Sequence, residues 1–203
     1  MKLLNTIIST ALSFMTVQSF AQTPLESLRN LFASSPVSMQ CEWKTEVNKT
    51  KFGGKSDLQI QGQMYVMKSN GLEVYCNGNT VWTVDESAME VVIEPCAGLE
   101  KDYAANPVFL LTDIDKLFNV KSQKQLSSGN IEYVLEASSS CGVNQADLVL
   151  TKDGEVVGGE FTLNDDNVLE VVVTSMKKTE EKPMPFFSPD RKFGADWIVT
   201  DLR

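Results

Sequence analysis

The residues of this chain that could do chemistry are four cysteines, Cys41, Cys76, Cys96 and Cys141, and a scatter of carboxylates; there is no histidine. Without imidazole, the serine–histidine and cysteine–histidine nucleophile systems are excluded, as are histidine metal sites. The cysteines contain no CxxC, so thiolate metal spacing is missing too. Glu73, Glu90 and Glu94 fall in one strand-rich stretch and could supply paired carboxylates for glycoside hydrolysis. Solvated sheet charges are the commoner use of such residues. Gly53-Gly54 and Gly158-Gly159 lie inside strand patterns, and neither GxGxxG nor a phosphate loop occurs. The sequence carries no enzyme signature and calls for no cofactor or metal.

Charge narrows the partners. The 203 residues hold 18 basic and 27 acidic side chains, a net charge of −9. No basic cluster is available to neutralise phosphates, which argues against nucleic acid. Adsorption to an anionic membrane is disfavoured for the same reason, so membrane contact is expected to be transient.

Met1 to Ala21 reads as a secretory signal peptide. Lys2 is its one charge, an apolar run spans Leu3 to Val17, and Ser19-Phe20-Ala21 is a small-x-small cleavage site. An uncleaved membrane anchor is the other reading, but Asn5, Thr6, Ser9 and Thr10 break the run. Gln22, rather than a cysteine, follows the expected cut, so no lipid anchor is expected there. Residues 22–203 are expected to form one exported, periplasmic domain, large enough for a sizeable core. Four cysteines in an oxidising compartment suggest disulfides. Sequence leaves their pairing open, with free buried cysteines as the alternative. Cys76 and Cys96 fall near one end of the same strand unit, but a strand between them makes about ten ångströms, beyond disulfide reach unless the chain after Pro95 folds back.

That unit is Gly71 to Pro95, GLEVYCNGNTVWTVDESAMEVVIEP. Asn77-Gly78 predicts a tight hairpin turn, setting Tyr75 against Thr80 and Glu73 against Trp82. A second turn at Glu86-Ser87 sets Val84 against Met89 and Trp82 against Val91. Alternation then puts Tyr75, Trp82, Val84, Met89, Val91 and Ile93 on one apolar face. Leu72, Val74, Cys76, Val81 and Val92 share the other with Thr83, Glu90 and Glu94. The first face needs a cover, from protein or from ligand.

Around this unit, Thr23-Pro24-Leu25-Glu26 predicts a capped helix carrying Leu25, Leu28, Leu31 and Phe32. Met39 to Thr50 reads as a strand turned back by Gly53-Gly54. Ser56 to Gln61 and Met64 to Ser69 read as two strands, or as one bulged at Gly62. After Pro95 the strand pattern stops. Asn106-Pro107 predicts a helix with Leu110, Leu111, Ile114, Leu117 and Phe118 on one face. Strands resume at Ile131 to Ala137, Ala146 to Lys152, Glu155 to Leu163 and Val168 to Met176. Aromatic weight ends the chain at Phe186, Phe187, Phe193 and Trp197.

The order of these pieces, with "GLEVYCNGNTVWTVDESAMEVVIEP", "NPVFLLTDIDKLF" and "FSPDRKFGADWIVTDLR", resembles the periplasmic outer-membrane lipoprotein carriers of the LolA family over nearly the whole exported chain. The carrying features are the Asn77-to-Trp82 hairpin, the Asn106-Pro107 helix and the terminal Asp201-Leu202-Arg203. The resemblance implies a mainly β (α+β) fold: a strongly curved, incomplete antiparallel barrel with helices as a lid over its concave apolar face. It implies a monomeric carrier that takes acylated lipoproteins from an inner-membrane release complex, shelters their acyl chains and delivers them to an outer-membrane acceptor. The cavity floor would include Tyr75, Trp82, Val84, Met89, Val91 and Ile93; the lid would include Leu110, Leu111, Ile114, Leu117 and Phe118. A carrier or sensor of another lipid on the same fold is the alternative, and a carboxylate-dependent hydrolase is a third reading. Where the family commonly has an arginine latch after the second strand, this chain has Gln61-Gly62-Gln63.

Overall fold

The computed structural model describes residues 23–96, 111, 113–138 and 141–203. The expected signal peptide, the Asn106-Pro107 helix start and Leu110 lie outside the described residues. Helix α1 (Pro24–Ser34) opens with the reciprocal cap that its sequence predicts: the Thr23 hydroxyl accepts from the Glu26 amide, and Glu26 accepts from the Thr23 amide. Its stripe buries Leu28 and Phe32.

Among the described residues, twelve strands follow in one sheet: β1 (Val37–Val47), β2 (Thr50–Gln61), β3 (Met64–Ser69), β4 (Leu72–Cys76), β5 (Thr80–Asp85) and β6 (Glu90–Pro95), then β7 (Phe118–Gln125), β8 (Ile131–Ala137), β9 (Val143–Leu150), β10 (Val156–Leu163), β11 (Val168–Lys178) and β12 (Ile198–Asp201). Their spatial order is β12-β6-β5-β4-β3-β2-β1-β11-β10-β9-β8-β7. All neighbours are antiparallel except β12, which lies parallel to β6. The ends, β7 and β12, do not pair, so the sheet is open. A short helix, α2 (Ile114–Leu117), precedes β7, and a 3-10 turn (Met184–Phe187) interrupts the segment between β11 and β12.

Several turns differ from the sequence reading. β1 turns back at Asn48-Lys49, both at positive φ, a type I′ geometry without glycine. Gly53-Gly54 instead lies within β2, paired with Lys44 and Trp43, and the space above Gly54 is taken by the Asn70 side chain, which donates to the Gly53 carbonyl. The β4–β5 loop is Gly78-Asn79, with Gly78 at positive φ and Asn77 capping the amides of Asn79 and Thr80. Tyr75 therefore pairs with Trp82 and Glu73 with Val84. The β5–β6 turn is likewise displaced, so Trp82 pairs with Ile93 and Val84 with Val91. Both registers move by two residues, which preserves the faces, since only an odd slip turns side chains over. Met89 alone leaves its predicted place: it sits in the turn at positive φ, 45 % exposed.

The predicted helix ends early. Phe118 is the first residue of β7, a strand that the sequence hides because only Phe118 of its eight residues is buried. Among the described residues, no helix is long and apolar enough to cross a membrane. All four cysteines are buried thiols, so the expected disulfides are not formed in this structure.

Candidate binding site

Both faces of the β4–β5–β6 unit are buried, by different partners. On one, Tyr75, Val84, Val91 and Ile93 form a compact cluster with Val66 and the fully buried Phe187; Trp82, Phe193 and Trp197 complete it. The face predicted to be a cavity floor is thus covered by the chain's own C-terminal segment. Polar ties fasten that segment. The Gln61 amide donates to the carbonyl of Lys182 and accepts from its N–H, and the Gln59 amide donates to the Thr179 hydroxyl. Gln61, where the resembled family commonly has its arginine, fastens this cover. Further along, Arg191 pairs with Glu86 and, at 3.2 Å, with Glu73. Glu73 also accepts from Lys68 at 2.6 Å and from the Tyr75 hydroxyl at 2.8 Å. Burial pushes the Glu73 carboxyl up, but the Lys68 and Tyr75 hydrogen bonds and the Lys68 and Arg191 charges outweigh it and hold it below the ordinary value. Glu73 and Glu94 point to opposite faces, since Glu73 pairs with Val84 while Glu94 pairs with Val81. Strand alternation therefore separates the two carboxylates that a hydrolase would need together.

The open apolar site lies on the other face. Rows of side chains cross the middle of the sheet there. Met39 of β1 stands beside Leu58, then Met67; Cys41 stands between Val173 and Ser56; Trp43 stands beside Val171, followed by Gly159 and Leu148. These residues, with Phe161, Leu169, Leu72, Asp85 and Leu111, line a groove of about 570 Å³. Eight consecutive strands, β5 through β9 in spatial order, contribute to it. Flat, they would span roughly 34 Å at about 4.8 Å per strand, so a single groove shared by all eight requires the sheet to curl around it.

Two local features keep the groove open. A Cβ at Gly159 would meet the Asp147 carbonyl at 2.6 Å, so no side chain can fill the floor between Leu148 and Val171. The Trp43 indole N–H donates to the Ser69 hydroxyl at 3.1 Å, which holds the ring against the wall. The polar groups are few: Ser56, Ser69, Asn70 and Asp85 lie among otherwise apolar side chains.

Of the predicted lid, Leu111, Ile114, Leu117 and Phe118 are buried and belong to the same core cluster as Met39, Cys41 and Leu58. Leu111 lines the groove, Ile114, Leu117 and Phe118 pack in the core around it, and Tyr75, Trp82, Val84, Val91 and Ile93 lie on the far side of the sheet. Sequence reasoning missed Trp43, Met67, Val171 and Val173 as site residues. Part of their signal was present: β1 alternates from Val37 through Met39 and Cys41 to Trp43, whereas the Val171-Val172-Val173 run and a bulge at Gln40/Cys41 blur the pattern in β11.

No family model and no curated protein matches this chain. Solved structures similar to it include an uncharacterised conserved protein from Thermus thermophilus, at 14% identity and TM-score 0.54, covering 88% of this chain and 96% of that one. A LolA superfamily protein from Nitrosomonas europaea aligns at 12% identity and TM-score 0.48, over 84% of this chain and 99% of that one. A putative outer membrane lipoprotein-sorting protein domain from Vibrio parahaemolyticus aligns at 11% identity and TM-score 0.43, over 80% and 95%. The Thermus likeness establishes a shared fold over nearly the whole length of both chains.

Proposed function

We propose that this protein is a periplasmic carrier that shelters the acyl chains of outer-membrane lipoproteins in the groove between Trp43, Met67, Val171 and Leu111. The observation that carries this reading is the groove itself: about 570 Å³, walled by apolar side chains from seven of the eight strands that line it. That volume lies in the range of small-molecule sites, roughly 300–1,000 Å³. Each methylene buried there contributes about 0.8 kcal/mol, so a long chain has ample gross driving force. Release requires a competitor. Leu111, Ile114 and Leu117 supply one, as a lid whose apolar face competes with cargo for the groove walls. The carrier acts as one domain, residues 22–203, and its acidity limits adhesion to the membranes between which it moves. It receives cargo from an inner-membrane release complex and passes it to an outer-membrane acceptor.

The test is direct. In a Trp82→Phe, Trp197→Phe background, Trp43 is the remaining indole and reports groove occupancy. Titration with a triacylated lipopeptide should shift Trp43 emission saturably, and native mass spectrometry of protein from the envelope should find acylated polypeptide bound. A saturable shift with diacyl phospholipid but not with lipopeptide would assign the groove to a different lipid cargo. No shift with either would remove the carrier reading.

A further inference from the structure

Cys76 and Cys96 stand apart from the rest of the core, because the fold brings two sulfurs together that the strand order should hold apart. Cys76 ends β4, Cys96 follows β6, and β5 lies between them. The chain bends back after Pro95: the Cys96 amide donates to the Asn79 carbonyl in the β4–β5 loop at 2.8 Å. This places the Cys96 sulfur 3.5 Å from that of Cys76. Both residues are buried, Cys76 completely. The other two cysteines have different surroundings. The Cys141 thiol donates to the Val143 carbonyl at 3.3 Å, and Cys41 lies in the groove row beside Ser56. Among the described residues, no other pair of cysteine sulfurs lies within hydrogen-bond distance.

We propose that Cys76 and Cys96 form a disulfide while the chain folds in an oxidising compartment, closing the β4–β5–β6 unit where the chain leaves the sheet. Two thiols give up two protons and two electrons to make one S–S bond. The electrons reduce a small-molecule or protein disulfide, the co-reactant, to its two thiols. Burial pushes the Cys76 thiol up to about 12, with the adjacent Cys96 adding to the rise. Thiolate is the reactive form, so the folded dithiol exchanges slowly. Oxidation therefore belongs to the folding chain, before the Asn79–Cys96 hydrogen bond closes over the sulfurs. This assignment rests on sulfur geometry and stands apart from the carrier reading.

The experiment uses the full exported chain, denatured and reduced, then refolded in mixed oxidised and reduced glutathione. Free thiols are alkylated and the product is mapped by mass spectrometry. The expected product has Cys76 linked to Cys96, with Cys41 and Cys141 alkylated. The oxidised protein should melt roughly 5–10 °C above a Cys76→Ser, Cys96→Ser variant. Linkage should form at least roughly tenfold faster in the refolding chain than in the folded, reduced protein. Four alkylated thiols after refolding, or a linkage that uses Cys41 or Cys141, would overturn the assignment whether or not the double variant folds. Equal rates in the folded and refolding protein would overturn its coupling to folding.

Discussion

Two substitutions separate the two apolar faces. Phe187 is fully buried against Tyr75, Val84, Val91 and Ile93, so Phe187→Ala removes a ring from a closed cluster. Phenylalanine-to-alanine changes in cores cost about 3–5 kcal/mol, from lost transfer energy and the cavity left behind. For a domain of this size that lowers the melting temperature by roughly 6–20 °C. The groove lies across the sheet, so lipopeptide affinity per folded molecule should stay within about twofold, well inside the 1.4 kcal/mol that a tenfold change requires. Met67→Glu should do the reverse. Met67 is half-buried on the groove wall, and in the empty groove the new carboxylate keeps its water. An acyl chain displaces that water, and burying a charge without a partner costs several kcal/mol, so affinity should fall by roughly a hundredfold or more.

The assays are chemical denaturation for stability and Trp43 fluorescence titration for affinity, on both variants. Opposite patterns are required: stability lost with binding kept, then binding lost with the fold kept. If Phe187→Ala abolished lipopeptide binding in the folded fraction while Met67→Glu bound normally, the acyl site would lie on the face of Tyr75 and Trp82. The assignment made from the groove would then be wrong.

Further expectations follow from single contacts. Ile114 is 4 % exposed on α2; as part of a lid, Ile114→Asp should leave the fold cooperative in denaturation while raising Trp43 exposure and apolar dye binding, and cooperative loss of the whole fold would refute the lid. Glu73 titrates below its ordinary value when folded, so its stabilisation is complete above the unfolded value, about 4.3, and is lost as pH falls through the folded one. Glu73→Gln should therefore flatten the acid limb of a stability–pH curve, and an unchanged limb would show that the Lys68 and Arg191 pairs are spent on solvent. Thr23→Ala removes the cap oxygen of α1 and should cost about 1 kcal/mol in urea denaturation, with Thr23→Ser restoring most of it.

Local chemistry made much of this fold legible. The Thr23–Glu26 cap and the strands from Ile131 onward follow from short-range rules, and the structure contains them. What failed was where short-range rules are silent. Asn48-Lys49 adopts a turn usually marked by glycine, because the long β1–β2 ladder fixes it from both sides. β7 escaped because an edge strand exposed on both faces has no alternation to read; its Lys121 and Lys124 blunt an edge that would otherwise invite pairing. The hairpin registers missed by two residues and still sorted every strand residue of β4, β5 and β6 onto the right face, since parity alone decides the face.

Parity cannot say what covers a face, and the site assignment turned on that. Tyr75, Trp82, Val84, Val91 and Ile93 make the more apolar stripe, and by hydrophobicity alone theirs is the face that calls for a ligand. Their cover is encoded about a hundred residues away, in Phe187, Phe193 and Trp197, and it is fastened by Gln61 and Arg191 rather than by any local signal. The mixed face, with Thr83, Asp85, Glu90 and Glu94 along its edge, looks like the solvated side of a half-buried sheet. Its apolar rows continue instead through β3, β2, β1 and β11, where curvature gathers them into one groove. A carrier gains from this division. With the strongly apolar face covered by the chain's own C-terminal segment, the sheet has a packed core that does not include the groove. The groove can then exchange one apolar occupant for another without the fold itself depending on which is bound.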